Sequence, residues 1–150
     1  DEVEAELRER ERARTRMALK KAQLEDLIAL AREAMGAAYA PYSGYRVGAV
    51  AFTDKGDAYT GCNVENASYG LTVCAERVAI WKAISESQDQ IVALVIAVED
   101  KEMPRPCGAC LQVMAEFAGQ DLQIVTVRGD GSYESLTLDD CLPMPFRLES

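Results

Sequence analysis

Eight consecutive apolar residues, Ile91–Val98, constrain the fold of this chain more than any other feature. A strand that is solvated on one face alternates polar and apolar side chains, whereas a strand covered on both faces is apolar throughout. The run therefore predicts a central strand that lies between two layers. Residues 122–127 repeat the pattern and predict a second buried strand.

The flanking segments predict helices and further strands around that centre. Helical spacing of apolar residues extends over three segments, residues 24–35, 74–87 and 107–118. Further strands are predicted at residues 47–52, 58–64 and 133–138. This order predicts an α/β fold, a three-layer α/β/α sandwich with a mixed central sheet of about five strands. Trp81 shares the helical spacing of Ile80 and Ile84, so we expect it in the core.

The first 21 residues differ from the rest in composition. They contain six acidic and seven basic side chains. Glu4 and Arg8, and likewise Glu6 and Arg10, stand four residues apart, which supports a solvated helix. We therefore expect a charged helical arm at residues 1–21 and one catalytic domain at residues 22–150.

The charge of the chain bears on its partners. The whole chain has 25 acidic and 16 basic residues, so residues 22–150 keep 19 acidic and nine basic ones. Such a body repels phosphate backbones, so nucleic acid polymers and anionic membranes are unexpected partners, whereas a neutral small molecule is compatible. Five cysteines, an odd number, without a secretory signal pattern favour a cytoplasmic protein with reduced thiols.

Three of the cysteines have the spacing of a metal site. Cys74 begins one predicted helix, and Cys107 and Cys110 begin another. Helix N-termini favour the thiolate form, and three thiolates leave a tetrahedral zinc ion one open position. The carboxylate of Glu76 can reach that position, which suggests activation of a water. Arg77 can donate hydrogen bonds to sulfur and offset the excess negative charge.

Other interpretations of these cysteines remain open. A structural zinc site needs a fourth ligand, and because the chain has no histidine, Cys62 or Cys141 is the candidate. Three unrelated buried cysteines are a further alternative. The pairing of C-x-E with P-C-x-x-C favours catalysis, because it is the signature of zinc-dependent nucleobase deaminases, with cysteine in place of their usual histidine.

Four ordered motifs extend this signature: residues 41–48 (PYSGYRVG), 61–70 (GCNVENASYG), 74–77 (CAER) and 106–110 (PCGAC). With them, residues 24–146 resemble the small homotetrameric cytidine deaminases. The resemblance implies one zinc ion per chain, on Cys74, Cys107 and Cys110. It implies hydrolytic deamination of free cytidine and 2′-deoxycytidine to the uridines in pyrimidine salvage. It also implies a homotetramer with active sites at subunit interfaces.

The resemblance also implies roles for individual residues near the substrate. Glu76 is the expected proton shuttle, and Asn63 and Glu65 match the ribose-binding pair. The alternation of Asn63, Val64 and Glu65 at a strand end points both polar side chains to one side. Tyr45 stands where the family usually has a phenylalanine that packs on the pyrimidine.

Further positions complete the expected site. The resemblance implies substrate contact at Ala75, and Phe146 matches a C-terminal aromatic residue that reaches a neighbouring subunit's pocket. Arg77 and Gln112 are expected around the metal ligands.

Two further positions depart from the family pattern. Leu111 replaces an arginine that commonly follows the last zinc cysteine, and Arg105 lies in a loop close to the site. They keep open a deaminase specialised for a modified cytidine, such as an N4-substituted one, or for a nucleoside antibiotic. A polynucleotide deaminase is disfavoured, because it needs a basic groove and stacking platforms.

Overall fold

The computed structural model describes residues 1–17 and 19–148, with side chains described for residues 1–9 and 19–148. The helices are α1 (Glu2–Met17), α2 (Lys21–Met35), α3 (Ala75–Glu86), α4 (Gly108–Phe117) and α5 (Leu138–Cys141), with a 3₁₀ turn at Tyr69–Leu71. The strands are β1 (Val47–Thr53), β2 (Ala58–Cys62), β3 (Ile91–Val98), β4 (Gln123–Val127) and β5 (Tyr133–Thr137).

The five strands form one mixed sheet in the order β2-β1-β3-β4-β5. β3 lies at the centre, antiparallel to β1 and parallel to β4, with Val95 opposite Val50 on one side and Val125 on the other. Every residue of β3 is buried. The apolar run therefore forms the predicted central strand.

Helices cover both faces of the sheet, which confirms the three-layer architecture. Val95 and Ala97 face α2, where they pack with Leu24, Leu27 and Ala31. Leu94 and Ile96 point the other way, into a cluster formed with α3 and α4. Complete burial of one such aliphatic side chain contributes about 1.5–3 kcal/mol, so these two clusters supply most of the driving force that layers the fold.

Two glycines let the helices lie close to the sheet. A Cβ atom at Gly48 would lie 1.9 Å from the carbonyl oxygen of Ala31 in α2. A Cβ atom at Gly61 would lie 2.5 Å from the backbone nitrogen of Ala79 in α3. Both contacts are with backbone atoms, which cannot move aside cheaply, so any side chain here would push a helix off the sheet.

Three details differ from the sequence expectations. β2 ends at Cys62, before the predicted end at residue 64, and Asn63 and Glu65 follow the strand. The short helix α5 was not predicted; Thr137 caps it, accepting from the Asp140 backbone N–H while Asp140 accepts from that of Thr137. The expectation for Trp81 is wrong, because its side chain is 44% exposed. α3 packs through Ala75, Ala79 and Ala83 instead.

The N-terminal half of α1 contains one of the two predicted ion pairs, between Glu4 and Arg8. Arg8 lies 3.5 Å from Glu4, and Val3 and Leu7 are exposed. The predicted pair of Glu6 and Arg10 lies outside the described side chains. The boundary between an arm and a catalytic domain stays a prediction. None of the described helices is both long and apolar enough to cross a membrane.

Candidate active site

The three predicted metal-ligating cysteines meet where two helices begin. Cys74 is the N-cap of α3 and Cys107 is the N-cap of α4, while Cys110 lies in the first turn of α4. Their three sulfur atoms all lie within 4.8 Å of one another, and those of Cys107 and Cys110 are 3.4 Å apart. Both helices thus direct the positive ends of their dipoles toward one cluster of thiols.

This cluster fits a zinc ion. Sulfur ligands at about 2.3 Å in a tetrahedron stand about 3.8 Å apart, close to the spacing present here. The cluster contains neither Cys62 nor Cys141, and among the described residues no fourth cysteine, histidine or carboxylate ligand joins it. Three protein ligands with one open position are the donor set of a catalytic zinc site rather than a structural one.

Hydrogen bonds connect the thiols with one another and with Arg77. The pKa of Cys74 falls to about 5, because its sulfur accepts hydrogen bonds from Cys110 and from Arg77. The Nη2 atom of Arg77 lies 3.4 Å from that sulfur. The pKa of Cys110 is raised, because it donates to Cys74 and is buried. The Nε atom of Arg77 is buried without a hydrogen-bond partner among the described residues, so this guanidinium has further donor capacity beside the sulfurs.

Glu76 lies directly beside this cluster, in the first turn of α3. Its side chain is only 6% exposed. Burial raises the pKa of the Glu76 carboxyl, and the negative charge of Cys74 raises it further. A carboxyl group in such surroundings can exchange a proton with a bound reactant, as a general acid or base must.

A cavity of about 300 Å³ connects this cluster to a second group of residues. On one part of its lining are Cys74, Glu76 and Cys107, which we call the metal set. On another part are Ser43, Asn63 and Glu65, which we call the loop set. Tyr45, Ala75 and apolar residues of β1 and β3 complete much of the surface. This volume is at the lower end of the range for small-molecule sites.

Asn63 holds the chain that leads into β1. Its Oδ1 accepts from the backbone N–H of Val47 at 2.9 Å, and its Nδ2 donates to the carbonyl of Tyr45 at 2.8 Å. One amide hydrogen and further lone-pair capacity remain after these bonds. Asn63 therefore fixes the position of Tyr45 and can still bind a ligand.

Glu65 accepts three hydrogen bonds from the same loop. Its Oε1 accepts from the backbone N–H groups of Tyr42 and Ser43, at 3.0 and 3.1 Å. Its Oε2 accepts from the hydroxyl of Ser43. That hydroxyl bond, followed by the backbone bonds, holds the pKa of Glu65 below its ordinary value. Sequence reasoning missed Ser43, because a serine in a turn carries no signal of its partner twenty-two residues away.

Tyr45 exposes part of its ring at the cavity. Partial burial raises the pKa of its hydroxyl, and Asp100 and Glu102 add to that effect. The hydroxyl therefore stays neutral near pH 7, and the ring presents an uncharged aromatic face.

Comparison with known proteins identifies the family. Residues 21–126 match the cytidine and deoxycytidylate deaminase zinc-binding region. The cytidine deaminase of Halalkalibacterium halodurans is 42% identical over 123 residues, which cover 82% of this chain and 93% of that protein. A cytidine deaminase crystal structure from Burkholderia pseudomallei, 40% identical, superposes with a TM-score of 0.78 over 81% of this chain and 98% of that one. The chain belongs to the cytidine deaminase family.

A second solved relative supports the same assignment. The cytidine deaminase structure from Mycobacterium tuberculosis is 38% identical with a TM-score of 0.73, covering 83% of this chain and 98% of that chain. Membership confirms the expectation of a zinc-dependent deaminase, and the cluster of Cys74, Cys107 and Cys110 is positioned to hold the metal ion.

The two remaining predicted residues of this cytidine deaminase family member, Gln112 and Phe146, contact each other outside the cavity lining. Phe146 is 70% exposed, and its carbonyl accepts a hydrogen bond from Nε2 of Gln112 at 2.8 Å. Neither residue belongs to the described lining of the cavity. Arg105 does line the cavity, with its guanidinium 3.0 Å from Glu134. Leu111 is buried in the cluster beneath α3 and α4.

Proposed function

We propose that this protein hydrolyses the 4-amino group of free cytidine and 2′-deoxycytidine, giving uridine and 2′-deoxyuridine and releasing ammonia. The observation that carries the proposal is a single cavity lined by both the metal set and the loop set. One set supplies hydrolytic chemistry and the other supplies polar groups suited to a sugar. The net charge of −9 supports a free nucleoside over a polynucleotide.

The metal set, together with Cys110 and Arg77, carries the reaction in this proposal. Cys74, Cys107 and Cys110 hold one zinc ion, which when bound is a Lewis acid that makes water nucleophilic at neutral pH. The Glu76 carboxylate accepts a proton from the water that attacks C4 of the pyrimidine. It then delivers a proton to N3 and later helps to protonate the leaving amine. Arg77 withdraws negative charge from the sulfurs.

The loop set and its neighbours orient the nucleoside. Asn63 and Glu65 bind the 3′-hydroxyl through the hydrogen-bonding capacity that their loop contacts leave free. The ring of Tyr45 packs on the pyrimidine. Ala75 is the first residue of α3, so its backbone N–H has no acceptor within the helix and can donate to the base.

Assembly completes the site in this proposal. A homotetramer places Phe146 of one subunit at the pocket of another, with active sites at the interfaces. Large exposed apolar side chains, among them Leu71, Trp81 and Phe146, supply surface for such contacts. Cysteines that are all free suit the reducing cytoplasm.

A second candidate substrate is an N4-substituted cytidine or a nucleoside antibiotic. Arg105 favours it, because this cation lines the cavity beside Pro104 and Cys107. From this position its guanidinium can contact a substituent that unmodified cytidine does not have.

A substrate panel tests these proposals by the loss of ultraviolet absorbance on deamination. The panel contains cytidine, deoxycytidine, cytosine, cytidine monophosphate, N4-methylcytidine and a single-stranded oligonucleotide. We expect salt-independent turnover of the two nucleosides and none of cytosine or the oligonucleotide. A clear preference for N4-methylcytidine would support the second candidate, and turnover of cytosine as fast as of cytidine would overturn the sugar-binding role of the loop set.

A further inference from the structure

The C-terminal tail is attached to the helix that begins at the metal cluster. Gln112 stands on α4, two residues after Cys110. Its Nε2 donates to the carbonyl oxygen of Phe146 at 2.8 Å, across thirty-four residues of sequence. The bond joins the main chain of the tail to the side of α4 and leaves the phenylalanine ring out of the contact.

A second contact anchors the next residue of the tail. Nη1 of Arg147 donates to the carbonyl oxygen of Ala115 at 2.7 Å. This carbonyl is one of the last four of α4, which receive no hydrogen bond from within the helix. The positive charge of Arg147 also interacts favourably with the negative end of the helix dipole. Gln112 and Arg147 thus hold consecutive tail residues at two points about one helical turn apart.

These anchors define how Phe146 is presented. Its backbone is fixed on α4, yet its side chain is 70% exposed. Met144 and Leu148 on either side are also exposed. Burying a phenylalanine is favourable by about 1.5–3 kcal/mol, and the Phe146 ring has gained only a small part of that within its own subunit.

We infer that Gln112 is a positioning residue, which together with Arg147 holds the tail so that the Phe146 ring enters the substrate pocket of a second copy of this chain. The inference rests on the proposed function, in which Phe146 serves a neighbouring pocket. In this inference the Gln112 side chain positions the tail and does not support the nearby metal ligands. The start of α4 then supplies Cys107 and Cys110 to the metal site of its own subunit. The side of α4 holds Phe146 for the pocket of the neighbouring subunit.

The inference predicts an effect on affinity and not on chemistry. Without the Gln112 bond the tail samples other positions, and the ring is correctly placed for only part of the time. The apparent affinity for nucleoside falls with that fraction. We expect the metal cluster and Glu76 to stay in place, because the described hydrogen bond of the Gln112 amide goes to the tail and not to them.

Steady-state kinetics of Gln112→Met and Gln112→Glu test this. Methionine keeps the length of the side chain and its helix propensity without a donor, and glutamate keeps the shape but only accepts. We expect KM for cytidine to rise about three- to tenfold, with kcat and zinc content unchanged, as for the loss of one hydrogen bond. Glu116→Gln, an exposed change four residues along the same helix, is the matched control and should keep wild-type KM.

A double-mutant comparison separates this inference from the proposal beneath it. Phe146→Ala should raise KM at least as much as Gln112→Met, and the double variant should match Phe146→Ala alone. If Phe146→Ala leaves KM unchanged, the proposed role of Phe146 fails. If Phe146→Ala raises KM and Gln112→Met does not, or if the two effects multiply, the positioning role of Gln112 is overturned.

Mixed oligomers test whether the ring acts between subunits. Gln112→Met chains can be refolded with an excess of Glu76→Gln chains, which keep an intact tail but lack the proton shuttle. We expect the active sites of the Gln112→Met chains to regain wild-type KM, because neighbours now supply a well-placed Phe146. An unchanged KM in mixtures that gel filtration shows to be assembled would contradict an intersubunit role.

Discussion

Two carboxylates face the same cavity in opposite surroundings. Glu76, of the metal set, is buried at the start of a helix beside three thiols. Glu65, of the loop set, follows a strand and accepts three hydrogen bonds from a surface loop. Burial raises the pKa of Glu76, while the Ser43 hydroxyl and two backbone N–H groups lower the pKa of Glu65.

The contrast indicates a division of labour within one pocket. Glu65 has its charge stabilised by fixed donors, so it suits constant hydrogen bonding to a ligand. At Glu76 burial and the charge of Cys74 outweigh the groups that stabilise the carboxylate, and the carboxyl lies beside the metal cluster, so it suits proton transfer. The metal set should therefore govern kcat and metal content, and the loop set should govern KM.

The largest effect is expected from removing a ligand of the metal set. Cys107→Ala should abolish activity, lose the metal and lower the melting temperature, because metal binding contributes to folding stability. Elemental analysis and thermal unfolding measure the two losses. Cys62→Ala is the matched control, since its thiol lies outside the cluster, and it should keep one zinc ion per chain. Retention of zinc by Cys107→Ala would refute the three-thiolate assignment.

Glu76→Gln should lower the catalytic rate without disturbing the metal site or the fold. The amide fills the same space but cannot accept the proton from water, so we expect kcat to fall by about 10²–10⁴-fold. Zinc content, the melting temperature and binding of the product uridine should change little. A variant that keeps more than about a tenth of wild-type kcat would contradict the assigned proton transfer.

Glu65→Gln should give the opposite kinetic pattern. Losing a charged hydrogen-bond partner should raise KM for cytidine by about ten- to a hundredfold, while kcat stays within a few-fold. Glu86→Gln is the control, because this exposed carboxylate at the end of α3 lies outside the cavity lining. A loss in kcat as large as that of Glu76→Gln would remove the distinction between the two sets.

The lowered pKa of Glu65 also predicts how KM changes with pH. Because the folded pKa of Glu65 lies below its unfolded value, the bonds from Ser43 and Tyr42 are fully present at neutral pH and are lost as pH falls through the folded pKa. KM should accordingly be flat near pH 7 and rise only in acid. Glu65→Gln should lack that rise, and an acid rise that persists in this variant would assign it to another group.

The central strand and the metal site could be predicted from the sequence, because each depends on a local pattern of residues. The apolar run Ile91–Val98 determined the central strand, and cysteines at two predicted helix starts indicated a shared metal site. The partners of Ser43 and Gln112 could not be predicted, because each bonds to a residue that only the fold brings near. Trp81 was misjudged because Gly61 lets small alanines of α3 pack against the sheet, which leaves the larger side chain outside.

The smallest effect is expected far from both sets, at the N-terminus. Deleting residues 1–18 removes α1, whose described side chains are exposed, and should leave kcat, KM and the melting temperature unchanged. Deleting residues 1–20 is a sharper comparison. It also removes Leu19, which packs on the α2 face of the sheet, and Lys20, whose N–H donates to Gln23 at the start of α2. The longer deletion should lower the melting temperature by a few degrees with kinetics intact. A rise in KM with either deletion would show that the N-terminal segment contributes to the pocket or to the assembly that completes it.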